Sequence, residues 1–571
     1  MPIKSPFPAI NLPAQDIFSF LFERKDHPFP KNHTVFQDAT TDKSYSFEDV
    51  HNKAVDFGKG LKMIYEWQKG DVLALFSPNH IDTPAITFGT LWAGGVVSPA
   101  NPAYTVAELA RQLKDSEARL VATQIELVGH VKAACEMAGL PEDCVILLGN
   151  GSDPQGRTKH WTNVRNISGA QRVRRAKINP MTDVAFLVYS SGTTGTPKGV
   201  KLSHNNLINN VVQVECSEQY NLTWNGSKTS GDIPLPAKGG DRILACLPFF
   251  HIYGLTMFVM SPMWTGVTTF VMSQFDLKNW CSLVQKHTIT YSYIVPPIAL
   301  SLSKDPIVDS YDLTSIRMTN CGAAPLSIGL IEKVFARTGI RIKQGYGLSE
   351  TSPGAVHQRW DEWRTSAGSI GWLLPDMEAK FCQPIDEASG LGQTAQELAE
   401  GEPGELYVRG PNVFLGYHNN DAATVHCLSA DGWFRTGDIG FMDKNKNMYI
   451  TDRAKELIKY KGFQVAPAEL ESYLIQLPQV QDCAVVGVFR EEMQTEVPLA
   501  YVVPAGKDIT EMTPKDAADI VQWLDSRVAN YKRLRGGVRF VASIPKNASG
   551  KILRRLLKEH TAVDETIRAH L

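Results

Sequence analysis

The stretch YSSGTTGTPKG, Tyr189–Gly199, holds glycines at 192, 195 and 199, hydroxyls at Ser190, Ser191, Thr193 and Thr194, and one cation, Lys198. Such a loop can cradle an anion. Glycine lets backbone N–H groups come close, hydroxyls donate, and a lysine adds charge. Phosphate is the anion this chemistry suits. The spacing is not that of a Walker loop, G-x-x-x-x-G-K-[ST], because Thr196 and Pro197 separate Gly195 from Lys198. The G-x-G-x-x-G of dinucleotide-binding folds is absent too. Taken alone, the loop fits a solvated glycine-rich turn as readily as a phosphate cradle.

The loop follows an apolar run and precedes an expected helix, so the elements around it matter. Ser46 and Asp49 form a capping-box pattern, and Val50, Ala54, Phe57, Leu61 and Ile64 follow at helical spacing. Asp71–Ser77, Gly94–Pro99 and Ala118–Thr123 read as strands, with Thr105 and Glu108 capping a helix between the last two. Strands alternating with helices predict an α/β fold, a parallel sheet covered on both faces. Glu215–Asp241 reads as a surface insertion, and Gln383–Pro403 as a link between two layers. After Asp452 the texture changes. Cys483–Phe489 and Pro498–Pro504 read as strands and Pro514–Asn530 as an amphipathic helix, in a compact unit behind a charged stretch, Thr451–Gly462. The expected division is a large domain, 1–452, and a small mobile α+β domain, 453–571.

With 571 residues the chain exceeds one ordinary core. Its 43% hydrophobic and 21% charged content are those of a globular protein, and its net charge of −2 argues against a nucleic-acid partner. The nine cysteines show no zinc-like spacing, which fits reduced thiols in an intracellular compartment. Ile243–Phe275 carries no Asp, Glu, Lys or Arg, but Pro248, Gly254, Pro262 and Gly266 interrupt it. It reads as buried core, not as a transmembrane segment.

Seven further motifs follow the loop in order: LPFFHIYG (247–254), CGAAPL (321–326), QGYGLSE (344–350), GELYVRG (404–410), GWFRTGD (432–438), DRAKELIKYKGFQVAPAEL (452–470) and PKNASGK (545–551). Together they resemble the adenylate-forming superfamily of acyl-CoA synthetases, luciferases and peptide-synthetase adenylation domains. The similarity is greatest to 4-coumarate–CoA ligase-like enzymes and covers nearly the whole chain. The resemblance implies a fold with a large multi-subdomain α/β part, including a β-barrel-like portion. It also implies a reaction: a carboxylic acid and ATP give an acyl-adenylate and pyrophosphate, and coenzyme A then displaces AMP.

The same resemblance implies roles for particular residues. Ser190, Ser191, Gly192, Thr193, Thr194, Gly195 and Lys198 hold the β- and γ-phosphates. Glu350 takes the magnesium position, and Ser349 keeps a hydroxyl where the family usually has Thr. Asp438 binds the ribose with Arg453 beside it, while Gln344, Gly345 and Tyr346 line the adenine and acyl side. Lys551 is the catalytic lysine bridging the carboxylate and the α-phosphate. Lys459 and Gln464 lie near the adenylate, Lys455 at the hinge, and Lys461 and Gly462 on coenzyme A. His251 and Tyr253 match the mouth of the acyl pocket, with His251 gating it; Cys321, Gly322, Gly345, Pro353 and Gly354 line its wall. Related plant enzymes tend to place a larger aliphatic residue at 354.

The reading is therefore a ligase for an aryl or medium-chain acid, using ATP, Mg2+ and coenzyme A. Carrier-protein loading, a luciferase-type oxygenase and a catalytically dead paralogue are the alternatives. The final Ala569-His570-Leu571 is similar to the S-K-L peroxisomal address, so a peroxisomal location through an import receptor is expected, and a cytoplasmic one otherwise.

Overall fold

The structure, a computed structural model, describes residues 2–165, 167, 169–190, 197–227, 233, 239–385, 396–453, 455–461, 463–547 and 550–559. A seven-stranded sheet carries the strands expected early in the chain, in the order 198–203, 184–190, 96–100, 72–76, 118–123, 145–147, 159–160. All its neighbours are parallel except Val184–Ser190 and Lys198–Ser203, which run antiparallel. Val72–Phe76 is buried at every position, as a central strand covered on both faces must be. The helix Phe47–Ile64 starts with the full Ser46–Asp49 capping box, and Val106–Asp115 with that of Thr105 and Glu108. Two N–H groups at each helix start thereby gain partners.

A nine-stranded sheet runs 372–373, 354–357, 342–347, 318–321, 291–294, 242–245, 268–271, 34–38, 44–46. Its interior strands are parallel, and antiparallel strands close both edges. A five-stranded antiparallel sheet, from Ile3–Lys4 through Glu378–Cys382, Gly404–Arg409 and Phe434–Met442 to Met448–Arg453, supplies the barrel-like part. The uncharged run 243–275 splits into two short strands and a broken helix within this core. Among the described residues no helix is long and apolar enough to cross a membrane.

Buried hydrophobic residues form two separate clusters, one ending at Met448 and the other running from Ile458 to Leu557. The second wraps a sheet of Val480–Arg490, Thr495–Pro504 and Gly537–Phe540, against which Pro467–Leu474 and Pro514–Asp525 pack. That last helix stops at Asp525, short of the expected Asn530.

Two expectations are corrected. The flanks of 215–241 are core anchors, not surface: Glu218 and Lys343 form a buried ion pair at 2.8 Å, and Asp241 pairs with buried Arg317 at 2.6 Å. Polar composition suggested exposure, but these charges are buried in opposite pairs. The segment 383–403, of which 386–395 lie outside the described residues, joins two adjacent antiparallel strands of one sheet rather than two layers.

Candidate active site

Most of the residues singled out in the sequence converge on one cavity of about 2190 Å³ between the two units. On the large side, Ser190 ends one strand and Lys198 begins its antiparallel partner, and the two are paired in register. Ser191, Gly192, Thr193, Thr194 and Gly195, expected to hold phosphates, lie outside the described residues. A strand, not a helix, follows the loop; the helix His204–Ser217 comes after it.

Glu350 sits in a short turn that ends the 342–347 strand, where its Oε1 accepts from the Tyr417 hydroxyl at 2.7 Å. The Lys198 ammonium lies 5.1 Å from the centre of the same tyrosine ring. Tyr417 thus ties the anion and cation of this wall together. Burial and Glu350 push its own hydroxyl up and keep it protonated. Among the described residues no group of three or more His, Cys, Asp or Glu gathers as a metal cage. Glu350 on the cavity wall does fit Mg2+, which takes one or two carboxylates and completes its shell with phosphate and water.

Asp438 is tied on both sides. Tyr346 donates its hydroxyl to Oδ2 at 2.6 Å, and Arg453, the cross-strand partner, pairs with Oδ1 at 3.1 Å. Tyr346 and Arg453 line the cavity and Asp438 lies behind them, nearly buried. Gln344 also faces away. Its Oε1 accepts from the Leu326 amide and its Nε2 donates to the Ser369 carbonyl, so it braces the strand rather than the cavity wall.

The recess bordered by His251, Tyr253, Gly322, Gly345, Pro353 and Gly354 is the expected acyl side. His251 caps the turn Ile252–Gly254 by accepting from the Tyr253 amide through Nδ1 at 3.2 Å. Burial lowers its pKa to about 4, so the ring is neutral at pH 7. A larger residue would be a tight fit at two of these glycines. A side chain at Gly322 would meet the Tyr253 ring at 3.2 Å, and one at Gly354 would meet Leu374, His357 and Val214 at 3.1–3.2 Å. Cys321 is buried behind Gly322 and does not line the recess.

The second unit closes the cavity with Lys455, Lys459, Lys546, Asn547 and Lys551. Lys551 lies in a turn tied by reciprocal bonds with Asn547 at 2.9 Å. Burial, and then the positive charge of Arg453, lower its ammonium to about 8. Gly550 rests against Pro297 of the large unit, and Lys304 donates to the Val480 carbonyl at 2.7 Å. Lys461 stays outside the cavity, exposed, in a turn with φ of 44°. Gly462 is outside the described residues, and Gln464 lies in the strand paired with Lys459.

Tyr417, Asn320 and His357 are among the lining residues that escaped the sequence reading. His357 is the one polar position of the strand Gly354–His357, and that break in pattern was an available signal; Asn320 follows another polar residue, Thr319, in Met318–Cys321 and gave none.

A two-unit α/β architecture whose junction is lined by Ser190 and Lys198 on paired strands, by Glu350 and by a lysine from the smaller unit fits a nucleotide-activating class of enzyme. The AMP-binding enzyme family matches residues 22–418 and the AMP-binding enzyme C-terminal domain residues 469–551; the chain belongs to this family. Probable 4-coumarate–CoA ligase 1 of Dictyostelium discoideum is 36% identical, covering 97% of each chain. The 4-coumarate–CoA ligase 1 of Solanum tuberosum is 35% identical over 98% of this chain and 96% of that one. The structure of ATP-bound MatB from Rhodopseudomonas palustris matches with a TM-score of 0.79 at 27% identity, over 95% of this chain and 98% of that one.

Proposed function

We propose that the protein is an ATP-dependent carboxylic acid–CoA ligase for aryl or medium-chain acids, working in two steps. In the first, an acid oxygen attacks the α-phosphorus of ATP and the bond to pyrophosphate breaks. In the second, the sulfur of coenzyme A attacks the acyl carbon, and AMP leaves with the electron pair of the acyl–oxygen bond. The observation that supports this best is the shared cavity. It sets Lys198 and Glu350 from one unit opposite Lys551 from the other, with a recess bordered by glycines alongside.

Carboxylate and phosphate repel, so the first step needs cations placed before the groups meet. Lys551 is assigned to bridge the incoming carboxylate and the α-phosphate, Lys198 to the outer phosphates, and Lys459 to the adenylate. Glu350 would hold Mg2+, whose charge would offset that of the phosphates. Arg453 and Tyr346 cover Asp438 and are assigned with it to the ribose. His251, neutral and at the mouth of the recess, admits an apolar acyl group without adding charge.

We take the unit boundary to be 452/453; the break between the hydrophobic cluster that ends at Met448 and the one that begins at Ile458 supports it. Lys461 lies away from the cavity that Lys551 reaches, so the second step requires the small unit to turn and bring Lys461 to the phosphates of coenzyme A. The test supplies the protein with ATP, Mg2+ and a panel of acids, with and without coenzyme A. Pyrophosphate release that depends on the acid, followed by AMP and thioester only when coenzyme A is present, is the expected result. Release independent of the acid, or AMP without thioester, would remove the proposal.

A further inference from the structure

The helix Pro296–Lys304 of the large unit has two faces. Ile298, Ala299 and Leu302 are buried in the large core. Pro297, Leu300 and Lys304 recur at i, i+3 and i+7, which puts them on one stripe of the opposite side. That stripe meets the small unit at three places. A side chain on Gly550 would come within 2.9 Å of the Pro297 ring, so the turn of Lys551 rests on the start of the helix. Leu300 borders a narrow gap together with Ile475. At the far end the Lys304 ammonium donates to the Val480 carbonyl at 2.7 Å.

The contact points of the small unit are tied to each other. The strand Val480–Arg490 is irregular between Val480 and Asp482, and the residue opposite Val480 is Pro504, which has no N–H to offer its carbonyl. Lys304 supplies the donor that Pro504 lacks. Asp482 accepts from Lys546 at 2.6 Å, and Lys546 pairs with Ile552 across the turn that holds Lys551. Asn547 and Lys551 close that turn. The irregular strand end and the lysine turn are thus linked, and one helix holds them at both ends. Lys304 is otherwise exposed, and its partner is a neutral carbonyl, so water can replace the bond when the units part.

We propose that this helix face is the seat on which the small unit docks to form the adenylate, and that Lys304 is a positioning residue for Lys551. This rests on the ligase reading of the cavity and goes beyond it by naming what holds the two units in register. Lys304 is not among the residues that line the cavity. It favours the orientation that puts Lys551 there, and its bond has to break before Lys461 can be brought to coenzyme A. An ammonium on one main-chain oxygen suits both demands. It adds a directional bond in the first orientation and is readily hydrated in the second.

The experiment measures the two half-reactions separately in wild type, Lys304→Met, Lys304→Arg and Lys333→Met, with the acid that wild type activates fastest. Formation is read as acid-dependent pyrophosphate release, and consumption as thioester made from supplied acyl-adenylate and coenzyme A. Lys304→Met keeps length and removes the donor. It should slow formation about three- to tenfold, the scale of one hydrogen bond, while consumption keeps its rate or rises. Lys304→Arg, which keeps a donor, should recover most of the formation rate. Lys333 borders the same gap and makes no hydrogen bond to the small unit among the described residues, so Lys333→Met should match wild type. A pH profile separates docking from a local effect on the large unit. Burial and Arg453 hold Lys551 at about 8 in the docked orientation, so a loosened seat should move the descending limb of pyrophosphate release upward, toward 10.5. Melting temperatures, with the retained thioester rate, show that the variant is folded. Equal slowing of both steps with an unmoved limb, or Lys304→Met indistinguishable from wild type in both steps, would overturn the inference while leaving the ligase reading intact. Wild-type release independent of every acid would remove the ligase reading, and this inference with it.

Discussion

Lys551→Ala removes an ammonium whose surroundings already work against its charge. Burial and Arg453 lower it from 10.5 to about 8. In the free enzyme it is therefore about nine-tenths protonated at pH 7 and about one-tenth at pH 9. Only the protonated form can bridge carboxylate and phosphate. The kcat/KM for pyrophosphate release, which reports the free enzyme, should fall about tenfold per pH unit above that value. Losing such a donor outright costs roughly 3–4 kcal/mol, on the order of 10²–10³ in rate. The descending limb should vanish in Lys551→Ala along with the rate. In Lys551→Arg, whose guanidinium does not titrate in this range, it should move beyond pH 10, at about the arginine reference range or above. The complementary assay supplies ready-made acyl-adenylate and coenzyme A, and thioester formation should survive in Lys551→Ala. Equal slowing of both steps, or a limb that persists in the alanine variant, would refute the assignment. Stability carries the opposite sign. The folded state binds fewer protons than the unfolded one between about 8 and 10.5, so this group's contribution rises with pH across that window.

Gly550→Val puts a side chain at φ of 79° and 2.9 Å from Pro297, and should slow adenylate formation about tenfold while sparing its consumption, measured in the same two assays. Lys461→Glu should do the reverse, keeping pyrophosphate release and raising the KM for coenzyme A by repelling its phosphates. Gly354→Val presses on Leu374, His357 and Val214, and should cost bulky acids about 1–3 kcal/mol in kcat/KM more than small ones; equal losses across an acid series would mean that Gly354 serves the backbone. Arg554 pairs with Glu456 at 2.7 Å and with both oxygens of Glu471, and its charge also acts on Asp452. Arg554→Met should destabilise the small unit by about 3–5 kcal/mol in denaturant melts. Burial raises Asp452 to about 7 even with Arg554 beside it, so the part of that deficit carried by Asp452 should shrink as the pH falls toward 7 and be gone below it.

Local rules carried far along this chain. The capping boxes at Ser46 and Thr105 and the strand Ala118–Thr123 stand where residue pattern alone placed them, because each is settled by neighbours within a few positions. The family motifs likewise named Lys198, Glu350, Arg453 and Lys551, all of which line one cavity. Partners distant in sequence were not legible. Glu218 reads as a surface charge until Lys343 arrives from another strand, and Asp438, already placed beside Arg453, gives no sign of the Tyr346 hydroxyl that also holds it. Asn320 and His357 lie 37 positions apart and passed unremarked, yet both border the space beside Gly345. Residue types and their spacing determined which chemistry the chain can carry. Only the tertiary structure decided which polar groups are satisfied by other protein groups and which remain for a ligand, because burial and hydrogen-bond partners depend on strands brought together across hundreds of residues.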